Sequence, residues 1–245
     1  MFTFFNKQIF LADLLEDAID MHCHILPGID DGSPGMQISE KMAYLYKNLG
    51  YLGVIATPHI MEDYYHNTSA RILNSLVTFQ KEMTVNLPLP YGAAAEYMLD
   101  SGFNILLEKK ELLPLSETKI LVEMSYFQKS LHTEQQIFDI QNNGYIPILA
   151  HPERYAYMTP SDSLELKRRG CLLQLNLLSL TTHYGSDVQK KAFQLLTDNA
   201  IHFVATDAHK PEHLEKIKQI KIPKKLETPL KKAFLTTKES FGASL

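Results

Sequence analysis

The chain of 245 residues has little cysteine, with only Cys23 and Cys171. Two thiols cannot build a disulfide framework or a cysteine-rich zinc site. So low a cysteine content favours a reducing, cytoplasmic compartment. Neither cysteine has an arginine six residues later, because Ile29 and Leu177 stand at those positions. The phosphate-binding loop of a cysteine-dependent phosphatase is therefore excluded.

Two other catalytic signatures are missing as well. The sequence contains no Gly-x-x-x-x-Gly-Lys-Ser/Thr loop, which excludes the common nucleotide-binding loop. It also has no Gly-x-Ser-x-Gly turn, which excludes the usual serine nucleophile of the α/β-hydrolases.

Excess positive charge and long apolar runs are also missing. The net charge of −4 gives no basic footprint for nucleic acid. No run is long enough to span a bilayer, so we expect no membrane insertion. Asp13, Glu16 and Asp17 interrupt the apolar beginning of the chain before it takes the form of a signal peptide.

What the sequence does contain is an alternation of strand and helix patterns, with 45% hydrophobic and 21% charged residues. Such an alternation favours a parallel α/β architecture, either a barrel or an open sheet. We expect one domain over 1–245, with a motif-bearing core at about 19–210 and a lysine-rich helical tail at 211–245. A short helical lead is expected at 11–17. Strands are predicted at 19–24, 52–57, 88–95, 119–124, 146–150, 172–176 and 202–206, and helices at 35–48, 69–83, 101–109, 132–142, 161–169 and 187–199.

Chemically reactive side chains recur at or just after the carboxyl ends of the predicted strands. In an α/β barrel that rim carries the active site. His22 and His24 stand two residues apart, so they share one face of a strand, and Cys23 points to the other face. Asp207 and His209 repeat that spacing, and Asp31 follows on the first loop. The other strand-end residues are His59, Glu96, Glu123 and His151.

Each of these side chains also has a plain structural interpretation when it is taken alone. A single strand-end histidine is more often structural than a ligand, and Asp30 and Asp31 are common turn residues. Glu123 lies in an apolar run, where a buried carboxylate needs a partner, a metal or a proton. The histidines outside strand ends are interpreted as structural; these are His66, His132, His183, His202 and His213.

Nine imidazole and carboxylate side chains are too many for one ion and suit a cluster of two or three. Without thiolate, they suit manganese, iron or zinc. Such clusters activate water for displacement at phosphorus. Arg154 follows His151 by three residues, and its guanidinium matches phosphate oxygens.

Six segments in this order resemble the PHP (polymerase and histidinol phosphatase) superfamily. Within it, they most resemble the bacterial manganese-dependent tyrosine-protein phosphatases of the capsular polysaccharide (CpsB/YwqE-like) family. The segments are Asp20-Met-His-Cys-His-Ile-Leu-Pro-Gly-Ile-Asp-Asp-Gly32, Ala56-Thr-Pro-His59, Glu96-Tyr97, Leu121-Val-Glu-Met-Ser125, Ala150-His-Pro-Glu-Arg154 and Thr206-Asp-Ala-His209.

The resemblance implies a distorted (β/α)7 barrel with a three-ion manganese centre at the carboxyl rim. It implies that Arg154 and Asp207 are the catalytic side chains, with Arg154 on the phosphate. It assigns His22, His24, Glu96 and Asp207 to one ion; Glu96, Glu123 and His151 to a second; and Asp31, His59 and His209 to a third.

The function expected from the resemblance is hydrolysis of protein phosphotyrosine in the control of capsular or exopolysaccharide synthesis. The partner would be a phosphotyrosine protein, for which the family suggests a bacterial tyrosine kinase, and a homo-oligomer is left open. The alternative is histidinol phosphate or another small phosphomonoester. An amidohydrolase ranks below both, since its usual pattern lacks the Asp207-x-His209 pair. A non-catalytic binding module is disfavoured by the complete ligand set.

Overall fold

The computed structural model describes residues 7–84 and 91–244. Its strands are β1 (Gln8–Phe10), β2 (Ile19–Cys23), β3 (Gly53–Ala56), β4 (His59–Ile60), β5 (Tyr91–Ala93), β6 (Glu96–Met98), β7 (Lys119–Glu123), β8 (Ile146–Ala150), β9 (Leu172–Asn176), β10 (Phe203–Ala205) and β11 (Lys221–Pro223). Its helices are α1 (Met36–Asn48), α2 (Ser69–Glu82), α3 (Ser101–Lys109), α4 (Thr133–Asn142), α5 (Pro160–Arg168), α6 (Ser186–Thr197), α7 (Pro211–Gln219) and α8 (Glu227–Phe241).

Two of the barrel strands are broken in the middle. β3 pairs in parallel with β5, and their continuations β4 and β6 pair in parallel with each other. The first break falls at Thr57-Pro58, where proline has no N–H to donate to a neighbouring strand. The second falls at Ala94-Ala95. Each broken strand therefore resumes in a new direction and delivers a site residue, His59 or Glu96, as the first residue after the break.

The sheet closes on itself through the ends of β2 and β10. From β4 the parallel order runs β6, β7, β8, β9 and β10. Across the seam, the Asp207 N–H donates to the His22 carbonyl and the His24 N–H donates to the Ala208 carbonyl, both at 2.9 Å. With each broken strand counted once, the barrel has seven strands. The distorted (β/α)7 barrel expected from the sequence is confirmed.

Two layers of core lie on the two sides of the barrel wall. Alternate strand residues point inward and form a small interior core that includes Met21, Ile55, Leu121 and Ile148. The other strand faces pack against the surrounding helices in the larger core. Phe241 of α8 joins the interior core and packs on Phe203 with ring centroids 5.2 Å apart. The lysine-rich tail thus plugs the amino end of the barrel, opposite the rim that carries the polar side chains.

Several helices begin at a side-chain cap. Thr159 and Asp162 form a reciprocal capping box on α5, and Asp100 accepts from the Phe103 N–H at the start of α3. The sequence pair Ser33-Pro34 predicts an N-cap followed by proline at the first position of α1, and this prediction is wrong. The cap position of α1 is Gly35, and the Ser33 hydroxyl donates to the Gly35 carbonyl instead. The Ser33-Pro34 pair lies in the loop that precedes α1.

Other local expectations need correction. The predicted helix at 11–17 is a single 3-10 turn, Leu11–Leu14, and it follows a strand that pairs antiparallel with β11. The strand predicted at 88–95 ends at Ala93, two residues early, and 88–90 lie outside the described residues. The predicted strand at 202–206 contracts to β10. Within the described ranges, no helix is both long and apolar enough to cross a membrane.

Candidate metal centre

Seven of the nine predicted ligand side chains are buried together at the carboxyl rim, and Asp31 and His209 face the opening. His22 lies in β2, His24 follows it, and Glu123 ends β7. The Asp207-x-His209 spacing predicts an extended strand, but Asp207 does not continue β10. It adopts a left-handed backbone (φ 49°), as does His151 (φ 36°). Non-glycine residues in this region are uncommon and concentrate at functional sites.

Three groups of ligand atoms each lie within 4.8 Å of one another. We call them the first, second and third clusters. The first consists of His22, His24, Glu96 and Asp207; the second of His59, Glu96 and Glu123; the third of His24, Asp31, His59 and His209. Every pair of clusters shares one residue. Glu96 links the first to the second, His24 the first to the third, and His59 the second to the third.

The spacing inside the clusters suits a bound cation. In the first cluster, Glu96 Oε2 lies 3.1 Å from His22 Nε2 and 3.3 Å from His24 Nε2, and Asp207 Oδ1 lies 3.4 Å from both imidazoles. Metal bonds to nitrogen or oxygen are about 2.1 Å long, so two ligands of one tetrahedral ion are separated by about 3.4 Å. The donor atoms already stand at that separation.

Several buried ligand atoms also make no hydrogen bond of acceptable geometry within the described residues. They are Oε2 of Glu96, both carboxylate oxygens of Glu123 and Nδ1 of His59. His59 Nδ1 lies 2.9 Å from Glu123 Oε1 and 3.1 Å from Glu96 Oε2. Buried polar atoms in folded proteins are normally satisfied, and an ion is one explanation for a group that is not. The residues therefore fit a multinuclear metal centre.

The second cluster differs from the ligand set implied by the resemblance. There His59, and not His151, completes the group with Glu96 and Glu123. His151 Nε2 approaches the other carboxylate oxygen of Glu96, Oε1, at 3.2 Å, and the Tyr126 hydroxyl lies at the same distance from it. His151 thus stands at the edge of the second cluster.

The cluster side chains perturb one another strongly. Burial by itself favours the neutral imidazole, but Asp30, Asp207 and Glu96 raise the pKa of His24 well above its usual value. Burial likewise opposes ionisation of Glu96, but His22 and His59 hold the pKa of that carboxyl well below its usual range. Protons on these imidazoles supply the positive charge that a metal cation would otherwise supply. A cation that binds must displace these protons.

Orienting partners hold three of the histidines through Nδ1. Asp30 Oδ2 accepts from His24 Nδ1 at 2.7 Å, and the Asp207 carbonyl accepts from His209 Nδ1 at 2.9 Å. Gln174 Oε1 lies 3.0 Å from His22 Nδ1. Each contact turns Nε2 toward the clusters, which is how metal-binding histidines are commonly fixed. The sequence marks Asp30 as a turn residue or as an alternative to Asp31 among the ligands, and it gives no sign of Gln174, because no local pattern marks such a partner.

The loop that carries Asp30 and Asp31 is held close to the site by glycine. A Cβ atom on Gly32 would lie 2.2 Å from the His24 carbonyl oxygen and 2.4 Å from the His24 Cβ. Only a residue without a side chain allows that approach. Asp31 therefore reaches over the site, with Oδ1 3.4 Å from His59 Nε2 and 3.6 Å from His209 Nε2.

Arg154 lies beside the first cluster and between two aromatic rings. Its Nη1 donates to Asp207 Oδ2 at 2.7 Å, and Asn176 Nδ2 donates to the same oxygen at 2.8 Å. Its Cζ lies 4.2 Å from the Tyr184 ring centroid and 4.8 Å from that of Tyr126. Both distances are within cation–π range. Asn176 is the last residue of β9, but neither it nor the two tyrosines is an imidazole or a carboxylate, the residue types on which the prediction of the site rests.

A cavity of about 570 Å³ opens onto these residues. Arg154, Asp31, Asp207 and His209 line it, together with His183 and His213. Sequence reasoning classed the last two as structural. His213 does have a structural contact, since its Nδ1 accepts from the His209 N–H at 3.3 Å. His66 is exposed and stays outside the clusters.

Fold and clusters together define a class: an α/β-barrel protein with a candidate multinuclear metal centre and an adjacent arginine at the carboxyl rim. The chain belongs to the capsular polysaccharide synthesis, CpsB/CapC family, whose model matches residues 18–232. The match extends past residue 210, where the recognised motifs end. It therefore includes most of the tail.

Individual relatives agree with this family. The tyrosine-protein phosphatase YwqE of Bacillus subtilis is 35% identical over 195 residues, covering 78% of this chain and 77% of the relative. A solved chain from the crystal structures of YwqE and of CpsB from Streptococcus pneumoniae, metal-dependent tyrosine phosphatases, superposes with a TM-score of 0.75 at 31% identity. It covers 91% of this chain and 87% of its own. An organophosphorus hydrolase from Deinococcus radiodurans, with 12% identity, a TM-score of 0.52 and coverage of 94% and 93%, shares the fold alone.

Proposed function

We propose that this protein is a metal-dependent protein-tyrosine phosphatase that acts in the control of capsular or exopolysaccharide synthesis. The observation that carries the proposal is the arrangement of the three clusters, linked by shared residues, directly beside Arg154. The named activity of the YwqE and CpsB relatives supports it.

We further propose manganese as the metal, held by His22, His24, Asp31, His59, Glu96, Glu123, His151, Asp207 and His209. Imidazole and carboxylate donors without thiolate suit manganese, and they also accept iron or zinc. When bound, such ions supply a water of lowered pKa and positive charge opposite the phosphoryl oxygens.

The other side chains of the site have complementary roles in the proposal. Arg154 binds the phosphoryl oxygens through its planar guanidinium. The Asp207 carboxylate, besides its place in the first cluster, aligns Arg154 through Oδ2, and Asn176 holds that oxygen in position. These contacts fix the guanidinium before the substrate arrives, so less order has to be gained in the transition state.

The substrate would be a phosphotyrosine protein, and a bacterial tyrosine kinase is the proposed partner. A cytoplasmic location is part of the proposal. Measurement of the protein's mass in solution determines whether it forms a homo-oligomer.

The test is hydrolysis of a phosphotyrosine peptide by the purified protein with manganese, combined with metal analysis of the same preparation. We expect turnover that disappears on strong chelation and returns with manganese. The His22→Ala/His151→Ala double variant should lose activity by at least about a thousandfold, because two positions of the centre are emptied. The exposed His66→Ala variant is the matched control and should keep wild-type activity.

Three results would contradict the proposal. They are full activity after chelation, fewer than two bound ions per active chain, and faster turnover of histidinol phosphate than of phosphotyrosine peptides. Iron or zinc in place of manganese would correct the metal and leave the reaction unchanged.

A further inference from the structure

Two large apolar side chains stand almost completely in solvent on the loop that follows β7. Phe127 is 96% exposed and Leu131 is 97% exposed, more than any other large apolar side chain of the described residues. We call residues 124–132 the β7 loop. Single exposed apolar residues are common on protein surfaces, but two nearly complete exposures within five residues expose an unusual amount of apolar area.

The β7 loop is continuous with the candidate metal centre. Tyr126, one residue before Phe127, places its hydroxyl 3.2 Å from His151 Nε2 and its ring 4.8 Å from Arg154 Cζ. Consecutive Cα atoms are about 3.8 Å apart, so the backbone of Phe127 lies at the edge of the site. A polypeptide that presents a phosphotyrosine to Arg154 from the side of Tyr126 therefore passes close to Phe127.

The loop is also held in place at both ends. The Tyr157 hydroxyl donates to the Ser125 carbonyl at 2.6 Å. At the far end, the Thr133 hydroxyl donates to the Ser130 carbonyl at 3.0 Å, and the His132 N–H donates to the Ser130 hydroxyl at 3.1 Å. Such anchoring lowers the ordering cost of a contact made by the exposed side chains.

We propose, resting on the proposed phosphatase activity, that Phe127 and Leu131 bind apolar side chains that flank the phosphotyrosine of the protein substrate. The contact makes the enzyme prefer phosphotyrosine in an apolar polypeptide context over free phosphotyrosine. Its energy comes from the apolar area that both partners remove from water.

Two other occupants fit the loop less well. A membrane surface normally requires a basic cluster beside the apolar residues, and the β7 loop contains a single lysine, Lys129. A second copy of the chain would need about 800 Å² per partner for a stable interface, far more than two side chains supply. A flanking residue of a peptide needs only a small contact.

The experiment compares three substrates with one reactive group: free phosphotyrosine, a phosphotyrosine peptide with leucine on both sides, and the same peptide with serine on both sides. For the wild type we expect KM for the leucine peptide to be about tenfold below that for the serine peptide, equivalent to about 1.4 kcal/mol. In the Phe127→Ser/Leu131→Ser variant this difference should vanish, with kcat unchanged and free phosphotyrosine hydrolysed as by the wild type.

Leu235→Ser is the matched control, because Leu235 is an exposed apolar residue of α8, the helix that packs against the amino end of the barrel. It should keep the preference for the leucine peptide. Thermal unfolding of each variant checks that these surface changes leave the fold intact. The peptide comparison on the wild type tests the preference without any substitution.

Several outcomes would overturn the inference. Two concern the peptides: equal KM values for the leucine and serine peptides on the wild type, and an unchanged preference in the double variant. Two concern other occupants: binding of the wild type to vesicles that is lost in the double variant, and a dimer of the wild type that is lost in the double variant. If the wild type hydrolyses none of the three substrates, the proposed function itself fails, and that result is separate from a lost peptide preference.

Discussion

At the scale of single residues, the site depends as much on orienting side chains as on ligands. The Nδ1 atoms of His22, His24 and His209 each meet an oxygen, and each contact leaves Nε2 for the clusters. Asp30 is the only one of these partners that is a carboxylate, and its pKa lies below the usual range because His24 and His59 oppose the effect of its burial. Its charge therefore strengthens His24 as a ligand.

Replacing Asp30 by asparagine should weaken metal binding while leaving the nine proposed ligands in place. The amide cannot supply the negative charge opposite His24 Nδ1, and losses of this kind typically cost about 10- to 100-fold in affinity. Calorimetric titration with manganese measures the dissociation constant. Asp63→Asn, an exposed aspartate on the loop after β4, is the control, and equal affinity in the two variants would refute the orienting role.

The aromatic rings around Arg154 lead to a second residue-scale prediction. Tyr184→Leu removes the ring that lies 4.2 Å from the guanidinium, and Tyr184→Phe keeps it. A cation–π contact of this kind contributes on the order of 1 kcal/mol, so KM for free phosphotyrosine should rise about fivefold in the leucine variant. The phenylalanine variant should stay close to the wild type. Similar KM values for the two variants would mean that the ring does not hold Arg154.

At the scale of elements, the order of strands and helices could be predicted from residue patterns, whereas the closure of the barrel was implied only by the family resemblance. Pro58 marks the end of β3, but no local pattern shows that the strand resumes at His59 in a new direction. Orienting contacts are similarly hidden. His22 and Gln174 are 152 residues apart, and only the closed barrel brings them together. The gathering of the strand-end side chains in one place was predictable, because parallel strands all end at one rim.

Asp20 fastens the seam between β2 and β10. Its Oδ1 accepts from the Thr206 N–H at 3.0 Å, and its Oδ2 accepts from the Tyr46 hydroxyl at 2.6 Å. Asp20→Ala removes the carboxylate that accepts from both buried donors and should lower the free energy of unfolding by about 3 kcal/mol. Urea unfolding in the presence of chelator measures it without a contribution from metal.

Tyr46→Phe is the companion variant, since it removes one of the donors and keeps the Asp20 carboxylate. It should cost about 1 kcal/mol. If Asp20→Ala costs no more than Tyr46→Phe, the carboxylate does not hold the seam.

His202 gives the junction of β9 and β10 a dependence on pH. Its Nδ1 accepts from the Leu173 N–H at 3.0 Å, which requires the neutral ring. Burial, together with Lys167 and Lys232, lowers the pKa of His202 to about 4 from its usual 6.5. Between these pH values the unfolded chain takes up a proton and the folded chain does not. The stability contributed is therefore present above pH 6.5 and is lost as the pH falls toward 4.

His202→Asn keeps a hydrogen-bond acceptor near the Nδ1 position and removes the titration. The free energy of unfolding of the wild type should fall more steeply than that of His202→Asn from pH 6.5 to 4. The comparison at equal manganese concentration cancels the titration of the metal centre. Parallel pH profiles for the two proteins would contradict the assignment.

At the scale of the whole molecule, the two ends of the barrel have opposite properties. Phe241 closes the amino end with apolar packing, while the carboxyl rim buries Glu96 and Glu123, whose carboxylates include oxygens without a well-formed hydrogen bond to any described residue. Apolar burial at the amino end stabilises the folded chain. It offsets the free-energy cost of burying charged side chains at the carboxyl rim. The stability of the molecule is therefore linked to what occupies the rim.

Removal of metal should accordingly lower the melting temperature. A ligand at a hundred times its dissociation constant stabilises the folded state by about 2.7 kcal/mol, and each kcal/mol shifts the melting temperature of a chain of this size by about 2–4 °C. We expect a difference of roughly 5–10 °C between saturating manganese and chelator, measured by calorimetry. Glu96→Gln removes the charge of the carboxylate that the first and second clusters share, so the difference in melting temperature between manganese and chelator should be much smaller in this variant. Phe241→Leu should lower the melting temperature under both conditions and keep the difference between them. Equal melting temperatures with and without manganese in the wild type would show that the rim binds no ion strongly enough to stabilise the fold.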